Sequence, residues 1–336
     1  MKILLTGGAG FIGSHTCVEL LSAGCQVVIL DNLLNSKASV IDRIASITGI
    51  KPTLVTADVR DEAALRVVFS QHHIDAVIHF AGLKAVGESV QQPLRYYENN
   101  VGGTLALCKI MAEFGVFSLV FSSSATVYGD PASVPISEDF PLQVTNPYGR
   151  SKLMVEEILR DLYASDTRWR IALLRYFNPV GAHASGIIGE DPSGVPNNLM
   201  PYLSQVAAGK LPMLSVYGGD WPTPDGTGVR DYIHVCDLAS GHQKALEKLN
   251  QASGVFTYNL GTGCGYSVLD MIEAFKKVTG QAVPYQIVAR RAGDIAACYA
   301  NTALANNDLH WQTTRGLETM CEDLWRWQQY CLSADL

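Results

Sequence analysis

Glycine recurs at every third position in Thr6-Gly7-Gly8-Ala9-Gly10-Phe11-Ile12-Gly13, directly after the aliphatic run Ile3–Thr6 and at the start of the helically spaced segment Ile12–Ala23. Glycines at 7, 10 and 13 permit a tight turn, close backbone approach to an anion, and tight packing of helix on strand. The helix amino terminus then presents unpaired N–H groups and the positive end of its dipole to a pyrophosphate. Three glycines alone would also suit a plain tight turn. The strand–turn–helix setting asks for more, and so does Asp31, which ends the next apolar run 18 residues after Gly13. A carboxylate there accepts from adenosine ribose hydroxyls and repels a 2′-phosphate, so NAD is predicted over NADP. Asp58, after the third run, admits two readings: an adenine contact or a helix cap.

The rest of the amino-terminal half extends this pattern. Val27–Asp31, Thr53–Ala57, Ala76–Phe80, Leu119–Ser122 and Ile171–Tyr176 are apolar without alternation, as strands covered on both faces are. Between them, Ser39–Ile47, Glu62–His72, Tyr96–Phe114 and Tyr148–Tyr163 have helical spacing. The predicted fold is α/β, a doubly wound parallel sheet of the Rossmann type, with a smaller carboxyl-terminal α/β substrate domain. Residues 1–177 make the first part and 178–336 most of the second, where turn-rich stretches such as Asp191-Pro192-Ser193-Gly194 appear. Segments at about 235–262 are expected to return to the main sheet.

Composition narrows the function. A net charge of −7 on 336 residues argues against a nucleic-acid partner, since phosphate backbones demand a basic face. The run Met1–Thr6 is too short for a signal peptide, and no apolar stretch approaches the roughly 20 residues of a membrane span. Eight scattered cysteines without a C-x-x-C pair read as reduced, mostly buried thiols, not as a disulfide framework or zinc site. No His, Cys and carboxylate cluster has metal spacing. A soluble, cytoplasmic protein without a metal is expected.

Tyr148-Gly149-Arg150-Ser151-Lys152 follows Asn146-Pro147, a suitable cap and first helical position. Residues at i and i+4 share one helix face about 6 Å apart. A phenol titrates near about pH 10 and is a poor base at neutrality, but an adjacent ammonium favours phenolate. A surface helix with a solvated lysine would show the same pattern. Ser122-Ser123-Ser124 directly after a strand adds weight, because ligands bind at strand carboxyl ends in such sheets. Ser124, Tyr148 and Lys152 are the candidate catalytic residues for hydride-transfer chemistry.

The segments Thr6–Gly13, Ser124–Gly129 and Tyr148–Lys152 resemble the extended short-chain dehydrogenase/reductase family. His79–Ser89, Arg175–Ala182 and Asp225–His234 resemble, more narrowly, its UDP-glucose 4-epimerases, and the similarity runs nearly end to end. The resemblance implies NAD as cofactor and a UDP-sugar as substrate. Hydride would leave sugar carbon 4 while Tyr148 takes the hydroxyl proton. A 4-keto sugar would turn in the pocket, and hydride would return to its other face. Lys152 would tune Tyr148 and hold the nicotinamide ribose, and Ser124 would bridge to the 4-oxygen.

Cofactor positions implied by the match are Gly7, Gly10, Phe11, Ile12, Gly13, Asp31, Asn32, Asn35, Ser36, Asp58, Val59, Phe80, Ala81, Gly82, Lys84, Asn99 and Phe177, beside Ser124, Tyr148 and Lys152. Substrate positions are Lys84, Ser124, Tyr148, Asn178, Asn198, Leu199, Ser215, Val216, Tyr217, Arg230, Arg291 and Asp294. Guanidinium forks match phosphate oxygens, so Arg230 and Arg291 suit a diphosphate. Sugar-nucleotide dehydratases of the family carry an Asp-Glu pair after the motif's Thr; Ser124-Ala125-Thr126 is followed by no carboxylate, which favours epimerisation. A bulky Tyr often found in hexose-specific relatives is replaced by Cys298, which implies room for a 2-acetamido group; an ordinary core cysteine is the other reading. The family pairs the helices at 96–114 and 148–163 across a homodimer, so one is expected here. An ordinary dehydrogenase and a non-enzymatic dinucleotide sensor remain the competing functions.

Overall fold

Successive strand residues point to opposite faces, and in Ile3, Leu4 and Leu5 both faces are apolar and fully buried. In the computed structural model, which describes residues 1–334 apart from 193, 195, 197 and 292, seven strands form one parallel sheet, most deeply buried at its centre. They are β1 (Lys2–Thr6), β2 (Gln26–Asp31), β3 (Thr53–Thr56), β4 (Ala76–His79), β5 (Ser118–Ser124), β6 (Arg170–Tyr176) and β7 (Gly254–Leu260), in the order β7-β6-β5-β4-β1-β2-β3. Thr6 lies beside Leu30 on one side and His79 on the other, so the carboxyl ends of β1, β2 and β4 are level. The doubly wound expectation holds, and the segment at 254–260 does pair with β6.

Helices cover both faces. Ile3, Leu5, Val27 and Ile29 pack with α1 (Phe11–Ser22) and α2 (Val40–Thr48). Leu4, Val28, Leu30 and Val77 pack with α3 (Glu62–His72), α4 (Gly103–Glu113) and α5 (Pro147–Ser165). Each fully buried aliphatic side chain contributes roughly 1.5–3 kcal/mol, so these two layers hold the sheet edge in place. A third core joins α6 (Leu199–Ala207), α8 (Val268–Thr279) and α9 (Leu317–Ser333), while α7 (Val235–Gln251) sends Leu238 and Leu246 into the first layer. Ser193 and Ala292, from the turn-rich stretch and the Arg291–Asp294 segment, lie outside the described residues.

Two details depart from expectation. The helix predicted over Tyr96–Phe114 is not uniform, because a π-helical stretch, Tyr97–Gly102, precedes α4. Thr104 Oγ1 donates to Asn100 O at 2.7 Å, competing for a carbonyl of that widened turn. Cys264 is exposed in a loop instead of buried, its N–H donating to Thr262 Oγ1 at 3.2 Å. All eight cysteines are free.

Candidate active site

Strand order reverses between β1 and β4, and the connections that leave their carboxyl ends in opposite directions flank a cavity of about 640 Å³. The glycine loop forms its floor. Gly10 is the N-cap of α1 and no side chain caps the helix there, which leaves first-turn N–H groups for an anion. A Cβ on Gly7 (φ +68°) would stand 2.7 Å from Ala81 N, and one on Gly13 would stand 2.6 Å from Gly7 O. Only glycine fits this cradle, which has the shape and polarity a pyrophosphate requires.

Asp31 is held rigidly at the edge of the cavity. Its Oδ2 accepts from Ala9 N at 2.9 Å, and its Oδ1 accepts from Leu33 N and Ser36 Oγ, each at 2.9 Å. Asp58 accepts from Asn32 Nδ2 at 3.0 Å and from Arg60 Nε and Nη2 at 2.9 Å. The Arg60 hydrogen bond holds its carboxyl well below the usual carboxylate range. Of the two readings for Asp58, the cap falls away: Asp61 caps α3, accepting from Ala63 N and Ala64 N. All the residues assigned to the cofactor line this one cavity, as do Asn178 and Asn198.

Asn146 caps α5 as its Asn-Pro start predicts, accepting from Gly149 N at 2.9 Å, and α5 carries Tyr148 and Lys152 to the cavity. Ser124, the last residue of β5, faces them, its Oγ accepting from Thr126 Oγ1 at 2.9 Å and Thr126 N at 3.2 Å. Burial pushes the Tyr148 phenol up, with Ser124 and the Lys84 ammonium pulling the other way. Lys152 is a second cation near the phenol ring. Its Nζ donates to Ser122 O at 2.7 Å and lies 5.9 Å from the centre of the Tyr148 ring, and burial lowers its own pKa to about 8. The i, i+4 spacing was legible; that Lys84, 64 positions away in sequence, brings a further positive charge to the phenol was not.

Residues 3–261 match the model of the NAD dependent epimerase/dehydratase family. A UDP-glucose 4-epimerase of Bacillus subtilis (strain 168) is 62% identical over 328 residues, covering 98% of this chain and 97% of its own. The crystal structure of a Stenotrophomonas maltophila UDP-glucose-4-epimerase, with bound NAD and formylated UDP-arabinopyranose, superposes with a TM-score of 0.98 at 54% identity, covering 99% of each chain. That of the Bifidobacterium longum UDP-glucose 4-epimerase, in complex with NAD+ and UDP, gives 0.96 at 52%, covering 98% of each. The chain belongs to the UDP-glucose 4-epimerase family.

Other residues that the epimerase resemblance assigned to the sugar nucleotide stand apart from the cavity lining. Val216 is core, and its strand neighbours Ser215 and Tyr217 alternate away from it, Tyr217 to solvent. Leu199 begins α6 and packs against the same core. Arg291 pairs with Asp294 at 2.9 Å and lies 5.2 Å from the Tyr217 ring centre. Arg230 Nη1 donates to Val229 O at 2.8 Å, and its strand runs beside Cys298. Cys298 is buried with Phe177, which lines the cavity, and burial raises its thiol to about 11.

Two neighbours of the site escaped the sequence. Thr126 shares a motif with Ser124, and its position two residues on is the only signal it offered. Glu190 had none: it accepts from Lys84 Nζ at 2.8 Å and Asn198 Nδ2 at 2.9 Å, occupying two groups assigned to substrate. Among the described residues, no cluster of three or more His, Cys, Asp or Glu suits a metal, and no helix is long and apolar enough to cross a membrane.

Proposed function

We propose that this chain interconverts UDP-galactose and UDP-glucose by reversible oxidation at sugar carbon 4. The observation that carries the reading is the placement of Ser124, Tyr148 and Lys152 in one cavity with the glycine cradle and Asp31. The residues suit NAD: the loop from Gly7 to Gly13 would hold the pyrophosphate, Asp31 the adenosine ribose and Lys152 the nicotinamide ribose. NAD, when bound, supplies the hydride acceptor. Tyr148 Oη takes the proton from the sugar 4-hydroxyl and gives it back; Ser124 Oγ orients that oxygen; Lys84 favours the charged phenol. Residues 1–177 with 235–262 serve the cofactor, and the rest of 178–336 serves the UDP-sugar, with Arg230 and Arg291 at its diphosphate.

Purified protein incubated with UDP-galactose and no added cofactor tests the reading. Many turnovers of UDP-glucose per chain are the expected result. Accumulation of one equivalent of NADH, or no reaction, overturns it in favour of a dehydrogenase or a sensor.

The chain also takes N-acetylated UDP-hexoses in this proposal, because the resemblance puts Cys298 where hexose-specific relatives carry a Tyr, and Cys298 shares a buried cluster with Phe177 of the cavity wall. Cys298→Tyr is expected to lower turnover of UDP-N-acetylgalactosamine relative to UDP-galactose by about tenfold or more, by steric exclusion. Equal ratios in the two proteins would sink the idea. A homodimer and a cytoplasmic setting complete the proposal. Leu105 on α4 and Met154 on α5 are exposed, as an unpaired helix face would leave them, and the eight free thiols suit a reducing compartment. Sedimentation as a single chain would contradict the dimer.

A further inference from the structure

Helix α5 brings three polar side chains to one stripe, Tyr148, Lys152 and Glu156, each four residues from the last. The first two reach the cavity. Glu156 does not, and is 1% exposed. An unpaired buried carboxylate is costly, and this one meets a full set of donors. Arg175 Nε and Nη2 fork onto its Oε1 and Oε2 at 2.9 and 2.6 Å. Ser123 Oγ donates to Oε1 at 2.5 Å, and Arg160 Nη2 reaches Oε2 at 3.4 Å. Arg175, equally buried, turns its Nη1 to Tyr128 Oη at 2.9 Å and Glu138 O at 3.0 Å.

Four of these residues, Ser123, Arg175, Tyr128 and Glu156, sit close in the chain to residues of the reaction centre or the cavity wall. Ser123 precedes Ser124. Arg175 is followed by Tyr176 and Phe177, both on the cavity wall. Tyr128 closes the short 3-10 turn that starts from Ser124, and Glu156 lies one turn beyond Lys152. Apolar contacts through Val155 and Leu159 already hold α5 on the sheet. Such contacts tolerate sliding, whereas a guanidinium–carboxylate fork accepts one geometry.

We propose that Glu156 and Arg175 are positioning residues: their buried fork sets the depth and rotation of α5 against β5 and β6, and with it the approach of Tyr148 to Ser124. The role rests on the epimerase reading. Neither side chain touches substrate; both act through the groups that do.

Three variants separate positioning from plain stability: Glu156→Gln, Arg175→Lys and the paired Glu156→Leu/Arg175→Met. The single changes leave a buried charge or a broken fork and are expected to lower the thermal midpoint. The paired change removes both charges at similar volume, so its midpoint is expected to return close to that of wild type. Its kcat on UDP-galactose should nevertheless stay down about 100-fold, with KM within about threefold, as misplacement of reacting groups predicts. A second readout needs no turnover. Ultraviolet titration of each protein against its own Tyr148→Phe counterpart isolates the Tyr148 phenol, which is expected to titrate at higher pH in the paired variant because Ser124 no longer meets it.

Wild-type turnover is the reference. A wild type that does not epimerise overturns the functional reading. A wild type that turns over, beside a folded paired variant with equal kcat and an unmoved Tyr148 titration, overturns the positioning role alone. Should the paired variant not fold, Arg175→Lys, which keeps the charge and loses the fork, makes the same comparison.

Discussion

Tyr148→Phe is expected to lower epimerase turnover about 10³-fold while leaving the thermal midpoint and NAD content almost unchanged. The ring stays, so the half-buried packing of Tyr148 at the start of α5 is conserved. What goes is the oxygen proposed to receive the 4-hydroxyl proton. Without it, hydride leaves a carbon whose oxygen is still protonated, and the developing positive charge has no outlet. Ser124 does not substitute, because its hydroxyl is already engaged by Thr126 and ordinarily titrates far above any phenol. The pH profile offers a second check. Burial holds the phenol above its ordinary value, so the active, deprotonated form gains population as pH rises. Wild-type kcat/KM should therefore climb toward alkaline pH, and the residual rate of Tyr148→Phe should lose that limb. Turnover within tenfold of wild type would remove Tyr148 from the reaction.

Gly7→Ala is expected to abolish retention of NAD and to destabilise the protein by about 2–4 kcal/mol. Two costs add. Gly7 has φ +68°, where an L side chain is strained, and the new Cβ would lie 2.7 Å from Ala81 N and 2.9 Å from Ala81 Cα. Those atoms are backbone just beyond β4, which two core layers hold, so they do not swing aside. Gly10→Ala is the control. Gly10 has φ −75°, and its Cβ would meet only Gly7 O at 3.3 Å, otherwise pointing into open space at the mouth of the loop. It should melt with wild type yet bind NAD more weakly, as read by calorimetry and by the fluorescence of bound NADH. If Gly7→Ala melts normally and keeps its cofactor, the loop is not the anion cradle.

The sheet was legible because its strands are short, apolar on both faces and punctuated by helices, a pattern with one common solution. Edges were less so. The strand predicted as Leu119–Ser122 runs to Ser124, because pairing with Leu174, Arg175 and Tyr176 carries it through three serines with no apolar signal. The two-residue strands Val229–Arg230, Ala297–Cys298 and Tyr266–Ser267 carry no periodicity at all and exist only through their pairing, with Val229–Arg230 in the middle. The widened turn at 97–102 likewise depends on side-chain hydrogen bonds that no spacing announces.

Local chemistry, then, lay in the sequence: a glycine cradle, a carboxylate after the next strand, a cap, a Tyr and Lys one turn apart. Each is set by neighbours a few positions away, where chain geometry leaves little choice. The tertiary structure decided which charges act on which groups. It brought Lys84 as well as Lys152 into the field of Tyr148, gave Glu190 to Lys84 and Asn198, and buried Glu156 against Arg175. Electrostatic coupling depends on distance and burial through space, and neither is written in the order of residues.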